Sequence, residues 1–304
     1  MKIALCAALL LISSLLFSQV TIQEPVSPQI KQAQQLNSEG KFEDALAVLN
    51  PVLAVSPQDY EANLTSGIAL DMQGDFGKAR GYLEKAVEVA PPARQVQALR
   101  TMAVSYAFQC DLPQVAKYEQ QAFDSQMKNQ KFTDAAGTAN ELARIYLECG
   151  DVPEASKWYQ TGYDTAIRQP NLSEADRDLW QFRWENAKAR MAAREGKAKQ
   201  ADADVVAAKA ILDKSKIPDQ QRFYPYITGY VAFYAGNYKS AIEELQKADQ
   251  KDPFILVLLA QAYEKMGNQS EGMKLYRQIL TINSHNPTNA FARPLAKKKL
   301  GTGG

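Results

Sequence analysis

The segment GNYKSAIEELQKADQKDP, Gly236 to Pro253, has no catalytic spacing, but its pattern recurs along the chain. Gly236 is followed by an aromatic (Tyr238), a small residue (Ala241), an apolar residue (Leu245), another small residue (Ala248) and finally Pro253. Gly40 is followed in the same register by Phe42, Ala45, Leu49 and Pro57, and Gly74 by Phe76, Ala79, Leu83, Ala86 and Pro91. Gly150, Gly196 and Gly267 open weaker copies, and one further copy carries Cys110 where the others have Gly. Seven residues before each turn stands a small residue: Ala33, Gly67, Ala103, Ala143, Ala189, Gly229 and Ala260. Seven copies with one internal register describe a building block.

A small residue at a fixed place lets two helices approach closely, and a Gly lets the chain reverse between them. A Pro near the end of each copy stops one helix and starts the next. A single helix pair buries too little apolar surface to stand alone, so neighbouring copies must stack.

The pattern resembles the tetratricopeptide repeat, a 34-residue pair of antiparallel helices, and Gly40 and Gly74 are 34 residues apart. The resemblance runs from about Ser27 to Pro287 and implies an all-α fold: an α-solenoid of about seven tetratricopeptide-type helix pairs with a C-terminal capping helix. The expected organisation is a signal peptide over 1–18, a short linker over 19–26, the repeat array over 27–287, and the capping helix and tail over 288–304. The later turns are spaced by 36, 40, 46, 40 and 31 residues. The extra residues, such as 124–133 and 171–178, are expected to lengthen helices or their connections. The tail NPTNAFARPLAKKKL reads as an amphipathic helix over the last repeat, with Lys297, Lys298 and Lys299 as a solvated end that complements the helix dipole.

The N-terminus, MKIALCAALLLISSLLFSQV, pairs Lys2 with an apolar run from Ile3 to Phe17, as a secretory signal does. Cleavage after Ser18 gives an exported protein of the bacterial type, periplasmic or extracellular; an uncleaved membrane anchor is the alternative. Only Cys110 and Cys149 then remain. The turn register puts them near the same edge of adjacent repeats, so one disulfide is possible, although two unpaired, partly buried thiols are the simpler expectation. Across the 304 residues, 35 Lys and Arg balance 34 Asp and Glu, which gives no global drive toward nucleic acid or an anionic membrane.

His285 is the only histidine, so no imidazole cluster exists for metal binding or for a nucleophile–base pair. In its SHNP setting it reads as an incidental surface residue. The glycines fall at repeat turns and form no phosphate loop. A non-enzymatic protein without metal or cofactor is expected.

In stacked helix pairs the first helices line the concave face. Residues i and i+4 share a helix face, so the stripe beside each small position can be read through the array. It passes Arg100, then Asn140, Arg144 and Glu148, then Asn186, Arg190 and Arg194, with Arg183 one turn earlier. It ends in Tyr226, Tyr230 and Tyr234, within an aromatic block that also holds Phe223 and Tyr224. Asn can bond an extended backbone, Arg can clamp a carboxylate, and Tyr offers rigid contact area. The resemblance implies peptide binding on this face, so the candidate groove residues are Arg100, Asn140, Arg144, Arg183, Asn186, Arg190, Arg194, Tyr226, Tyr230 and Tyr234. Core packing of the tyrosines is the competing reading, because periodicity alone does not say which face is buried.

Two functions fit. One is an exported scaffold that binds an extended, acidic or C-terminal segment of another protein in its groove. The other is a structural subunit of an envelope complex that uses its convex face or its termini. A small-molecule sensor or sugar-processing accessory protein is a third class. An open groove with exposed Arg and Tyr favours the first, and a groove filled by its own side chains beside an outer apolar patch favours the second.

Overall fold

A computed structural model describes residues 26–215 and 217–302. The expected signal peptide, Cys6 and nearly all of the linker lie outside the described residues.

The described residues form fifteen α-helices and no strand. The pairs are α1 (Pro28–Ser38) with α2 (Phe42–Val55), α3 (Tyr60–Gln73) with α4 (Phe76–Val89), and α5 (Gln95–Ala107) with α6 (Leu112–Lys128). Next come α7 (Phe132–Cys149) with α8 (Val152–Ala166), and α9 (Glu174–Arg194) with α10 (Ala198–Lys214). A 3-10 turn over Pro218–Phe223 leads to α11 (Tyr224–Tyr234) with α12 (Tyr238–Leu245). The last pair is α13 (Pro253–Lys265) with α14 (Gln269–Leu280), and α15 (Pro287–Leu300) follows.

All seven turns close in one way. The turn residue takes positive φ at Gly40, Gly74, Cys110, Gly150, Gly196, Gly236 and Gly267. The next amide then donates to the carbonyl five residues back, as Asp75 N does to Leu70 O and Asp151 N to Tyr146 O (2.9 and 2.8 Å). This Schellman closure satisfies carbonyls that a helix end otherwise leaves bare. The Asp or Asn after several turns caps the second helix, as Asp151 does for Glu154 N. Cys110 holds the left-handed position at φ 51°, where a side chain is normally disfavoured.

The small positions are where the helices touch. Ala33, Ala103, Ala143, Ala189 and Ala260 are fully buried, as are Ala45, Ala155, Ala201 and Ala241 of the second helices. At Gly67 a Cβ would sit 2.5 Å from Leu83 Cδ2, and at Gly229 it would sit 2.6 Å from Leu245 Cγ. The extra residues of the middle repeats lengthen helices, giving α7 18 residues and α9 21.

Four expectations need correction. Cys110 and Cys149 form a disulfide, Cα–Cα 5.8 Å, between the turns of the third and fourth repeats. Equivalent turns of stacked pairs lie side by side, which is why the two cysteines meet. The C-terminal helix does more than cover the last repeat. Its Ala292 and Ala296 pack on α13 and α14, while Ala290 and Phe291 join the core of α3, α5 and α7. Lys297 is not a free solvated end, since it donates to Gln73 O (2.7 Å), and Lys299 pairs with Glu264. His285 is not at the surface; its side chain is 5% exposed and lies 2.9 Å from Asp71.

These contacts join the two ends of the array. Arg293 Nε donates to Met72 O (2.9 Å), its Nη1 reaches Leu280 O and Ile282 O, and Asn283 donates to Ser38 O (3.2 Å). Arg293 and Lys297 thus give donors to the last carbonyls of α3, where the helix dipole favours a cation. The solenoid closes on itself, with α15 occupying the inner face beside α3, α5 and α7.

Candidate ligand site on the concave face

The inner face left open by α15 is built by α7, α9 and α11. Residues four apart on α7 and on α9 stand above one another, so Asn140, Arg144 and Glu148 face Asn186, Arg190 and Arg194 across the seam.

Arg190 is buried. Its Nε donates to Asn186 Oδ1 (2.9 Å) and its Nη2 to Tyr159 OH (2.9 Å), while its Nη1 has no hydrogen bond and lies 4.0 Å from Glu148 Oε1. Arg194 Nη1 donates to Tyr234 OH (2.8 Å) and lies 3.5 Å from Glu148 Oε2. Burial pushes the Glu148 carboxyl up, against the pull of Arg144, Arg190 and Arg194. Arg144 sits over the Phe254 ring at 5.3 Å, 4.0 Å from Asp252, with its Nε and Nη2 unbonded.

Beside this cluster opens a cavity of about 310 Å³. Asn140, Arg144, Tyr159, Phe182, Arg183, Asn186, Arg190, Gln220, Arg222, Phe223 and Tyr226 line it. Four guanidinium groups face it, and no carboxylate does. Arg183 stacks on Trp180 (4.7 Å) and Arg222 on Phe223 (4.9 Å), and both are exposed. Burial pushes the Tyr226 phenol up, so it stays neutral.

Six of the ten candidate residues therefore share one pocket: Asn140, Arg144, Arg183, Asn186, Arg190 and Tyr226. Arg194 and Tyr234 pair with each other at its edge. Tyr230 is a correction. It is fully buried against Tyr226, Tyr234 and Phe254, because a helix between two neighbours turns its middle tyrosine into the core. Arg100 lies apart, ion-paired with Glu141 in a second cavity roofed by His285, Asn286 and Pro287. The two Asn–Arg pairs also differ: Asn186 bonds Arg190, whereas Asn140 Oδ1 has no partner and lies over Gly162, where a Cβ would collide with it.

Gln220 and Arg222 are not among the residues that the sequence nominates. They come from the 3-10 turn, and the only hint was the 40-residue spacing between Gly196 and Gly236. Among the described residues no cluster of His, Cys, Asp or Glu could hold a metal ion, and no helix is long and apolar enough to cross a membrane.

Residues 36–103 and 255–286 each match a family model described as tetratricopeptide repeat. A tetratricopeptide repeat protein from Parabacteroides merdae superposes with a TM-score of 0.54 at 10% identity, covering 90% of this chain and 96% of that one. The Cut9–Hcn1 hetero-tetramer of APC/C gives 0.46 at 14% identity, over 91% of this chain and 49% of that one. A putative kinesin light chain from Podosopora anserina, with nearly identical TPR-like repeats, gives 0.49 at 18% identity, over 61% and 93%. At these identities the likeness is one of fold, and only the first exceeds a TM-score of 0.5. No curated protein matches the chain in sequence.

The chain is a tetratricopeptide-repeat protein with an α-solenoid fold. Its repeats make it a protein-interaction scaffold, a class that is generally non-catalytic.

Proposed function

We propose that this scaffold is exported and holds the acidic end of a partner polypeptide on the open part of its concave face, across α7, α9 and α11. The observation that carries this reading is the cavity with four arginines and no carboxylate in its lining. Arg donors in a partly enclosed site favour carboxylate oxygens by bidentate, charge-assisted hydrogen bonds. Because α15 occupies the inner face over α3 and α5, the partner segment engages the middle repeats and does not run the whole superhelix.

The structural-subunit reading has less support. The exposed large apolar side chains among the described residues, Val55, Ile167, Val206 and Met266, stand on four different repeats and form no outer patch. Export is supported by the apolar run after Lys2 together with the Cys110–Cys149 disulfide, since such bonds persist in oxidising compartments.

Affinity capture from envelope extracts should compare the mature chain with the Arg183→Glu, Arg222→Glu variant. Both positions are exposed, so the variant keeps its fold. A partner lost by the variant and competed off by its own acidic segment supports the reading; a partner retained by the variant rejects it. Amino-terminal sequencing of the purified protein should begin at Gln19, and an intact Met1 would reject cleavage.

A further inference from the structure

We propose that the pocket between α7, α9 and the Pro218–Phe223 turn binds a compact group bearing two negative charges, attached to a flat apolar body. Phosphomonoesters and paired carboxylates are the chemistry meant. The inference deepens the proposed function and rests on it only in placing the binding face on the concave side.

The first argument is charge. Arg144, Arg183, Arg190, Arg194 and Arg222 stand in or beside the site, the acids within ion-pair reach of them are Glu148 and Asp252, and neither acid lines the cavity. Glu148 is turned away into the protein, its side chain 2% exposed, between Arg190 and Arg194. An excess of three cations remains, so a single carboxylate would leave two of them unanswered.

Unused donors point the same way. Arg144 Nε and Nη2 and Arg190 Nη1 are buried without a hydrogen-bond partner. Buried polar groups in native proteins usually find a partner, an ordered water or an ion among them. The oxygens of a phosphate or dicarboxylate match several guanidinium groups at once.

Shape sets the attachment. Phe182, Phe223, Tyr159 and Tyr226 provide aromatic wall around a space of about 310 Å³, enough for a small group but not for a run of extended chain. Arg183 comes from the middle of the 21-residue α9, and Arg222 from the 3-10 turn that leads into α11.

The test is calorimetric titration of the mature chain with phenyl phosphate and phthalate as dianions and benzoate as the monoanion, at pH 8, where phenyl phosphate is doubly charged. The dianions should bind at least tenfold more tightly than benzoate. The Arg183→Gln, Arg222→Gln variant, with unchanged thermal unfolding, should lose at least tenfold of that affinity. Equal binding of benzoate, no binding of either dianion, or full affinity in the variant would each overturn the proposal. A further arm places the aryl phosphate on a tyrosine within a short peptide. Tighter binding than free phenyl phosphate assigns the group to a polypeptide, and exclusion assigns it to a free small molecule; either supports the site. Partner capture that is lost in the Arg183→Glu, Arg222→Glu variant while no dianion binds would reject this inference and leave the scaffold reading standing.

Discussion

His285 Nε2 lies 2.9 Å from Asp71 Oδ2, a contact between residues 214 positions apart. The other carboxylate oxygen of Asp71 accepts from Ser105 Oγ (2.8 Å), and the imidazole packs 5.7 Å from the Phe108 ring. The pair fastens the segment before α15 to the third and fifth helices. His285→Ala should cost about 1–3 kcal/mol, because it leaves a buried carboxylate oxygen without its donor. A double-mutant cycle with Asp71→Asn, read by urea denaturation, should return a coupling of about 1 kcal/mol or more. A coupling of zero would mean that the contact is incidental.

Arg293 serves three backbone carbonyls from two ends of the array. Arg293→Met keeps much of the side-chain volume but leaves those acceptors bare, and we expect a loss of about 2–4 kcal/mol. Hydrogen exchange should show faster opening of α15 and of the last turn of α3 together. Opening of α15 alone would argue against a joint between the two ends.

The Cys110–Cys149 bond encloses a loop with a sequence separation of 39. Loop-closure entropy for that length corresponds to about 4 kcal/mol, and measured effects commonly fall near 2–4 kcal/mol. Denaturant midpoints with and without reductant should differ accordingly, and the Cys149→Ser variant should be insensitive to reductant. Free-thiol titration of the unreduced protein that finds both cysteines reactive would contradict the pairing.

Glu119 is buried beside Glu141, and no hydrogen-bond donor reaches either of its oxygens. Burial, reinforced by Glu141, pushes its pKa well above the ordinary 4.5. A raised folded-state pKa means that the folded protein holds the proton more tightly. The resulting stability is fully present below the ordinary value and is lost as pH rises through the folded one. Glu119→Gln should therefore be more stable than the parent by about 1–3 kcal/mol at pH 8, with the difference shrinking toward pH 4.5. A difference that does not change with pH would refute the assignment.

Gly67 and Gly81 test whether close approach or helix propensity governs the small positions. Ala is favoured over Gly in a helix by about 1 kcal/mol. At Gly67 that gain is outweighed, because the new Cβ would strike Leu83 and stand 3.2 Å from Ala79 O; overpacking of this kind costs about 1–3 kcal/mol. Nothing lies within 4 Å of a Cβ at Gly81. Thermal unfolding should fall for Gly67→Ala and rise for Gly81→Ala.

Much of the fold could be read beforehand, because the constraint at each turn is local. Gly40, Gly74 and Gly150 take a conformation that other residues avoid, and Gly67 and Gly229 stand where a methyl group does not fit. Cys110 was recognisable as the exception in its register. Its bond to Cys149 was only one of two options, since register places two turns near one edge without saying whether the sulfurs meet. Asn140, Arg144, Asn186 and Arg190 were placed on one stripe by helical spacing, and the structure brings them to one cavity. Tyr230 follows the competing core reading, because an aromatic run with neighbours on both sides carries no periodic signal of its buried face. His285, Lys297 and Arg222 depend on contacts or inserted residues for which the repeat has no rule.

Because Arg293, Lys297 and His285 tie the last helix to the first repeats, this solenoid does not behave as a row of nearest neighbours whose energies simply add. The joint can form only after nearly the whole chain has been made, so a ribosome-bound fragment lacking α15 leaves the inner surfaces of α3 and α5 uncovered. Contacts of such long sequence separation slow the final stage of folding. They also make the last helix and the second repeat one cooperative unit: removing α15 weakens α3, and the array cannot be lengthened by inserting another repeat without breaking this joint.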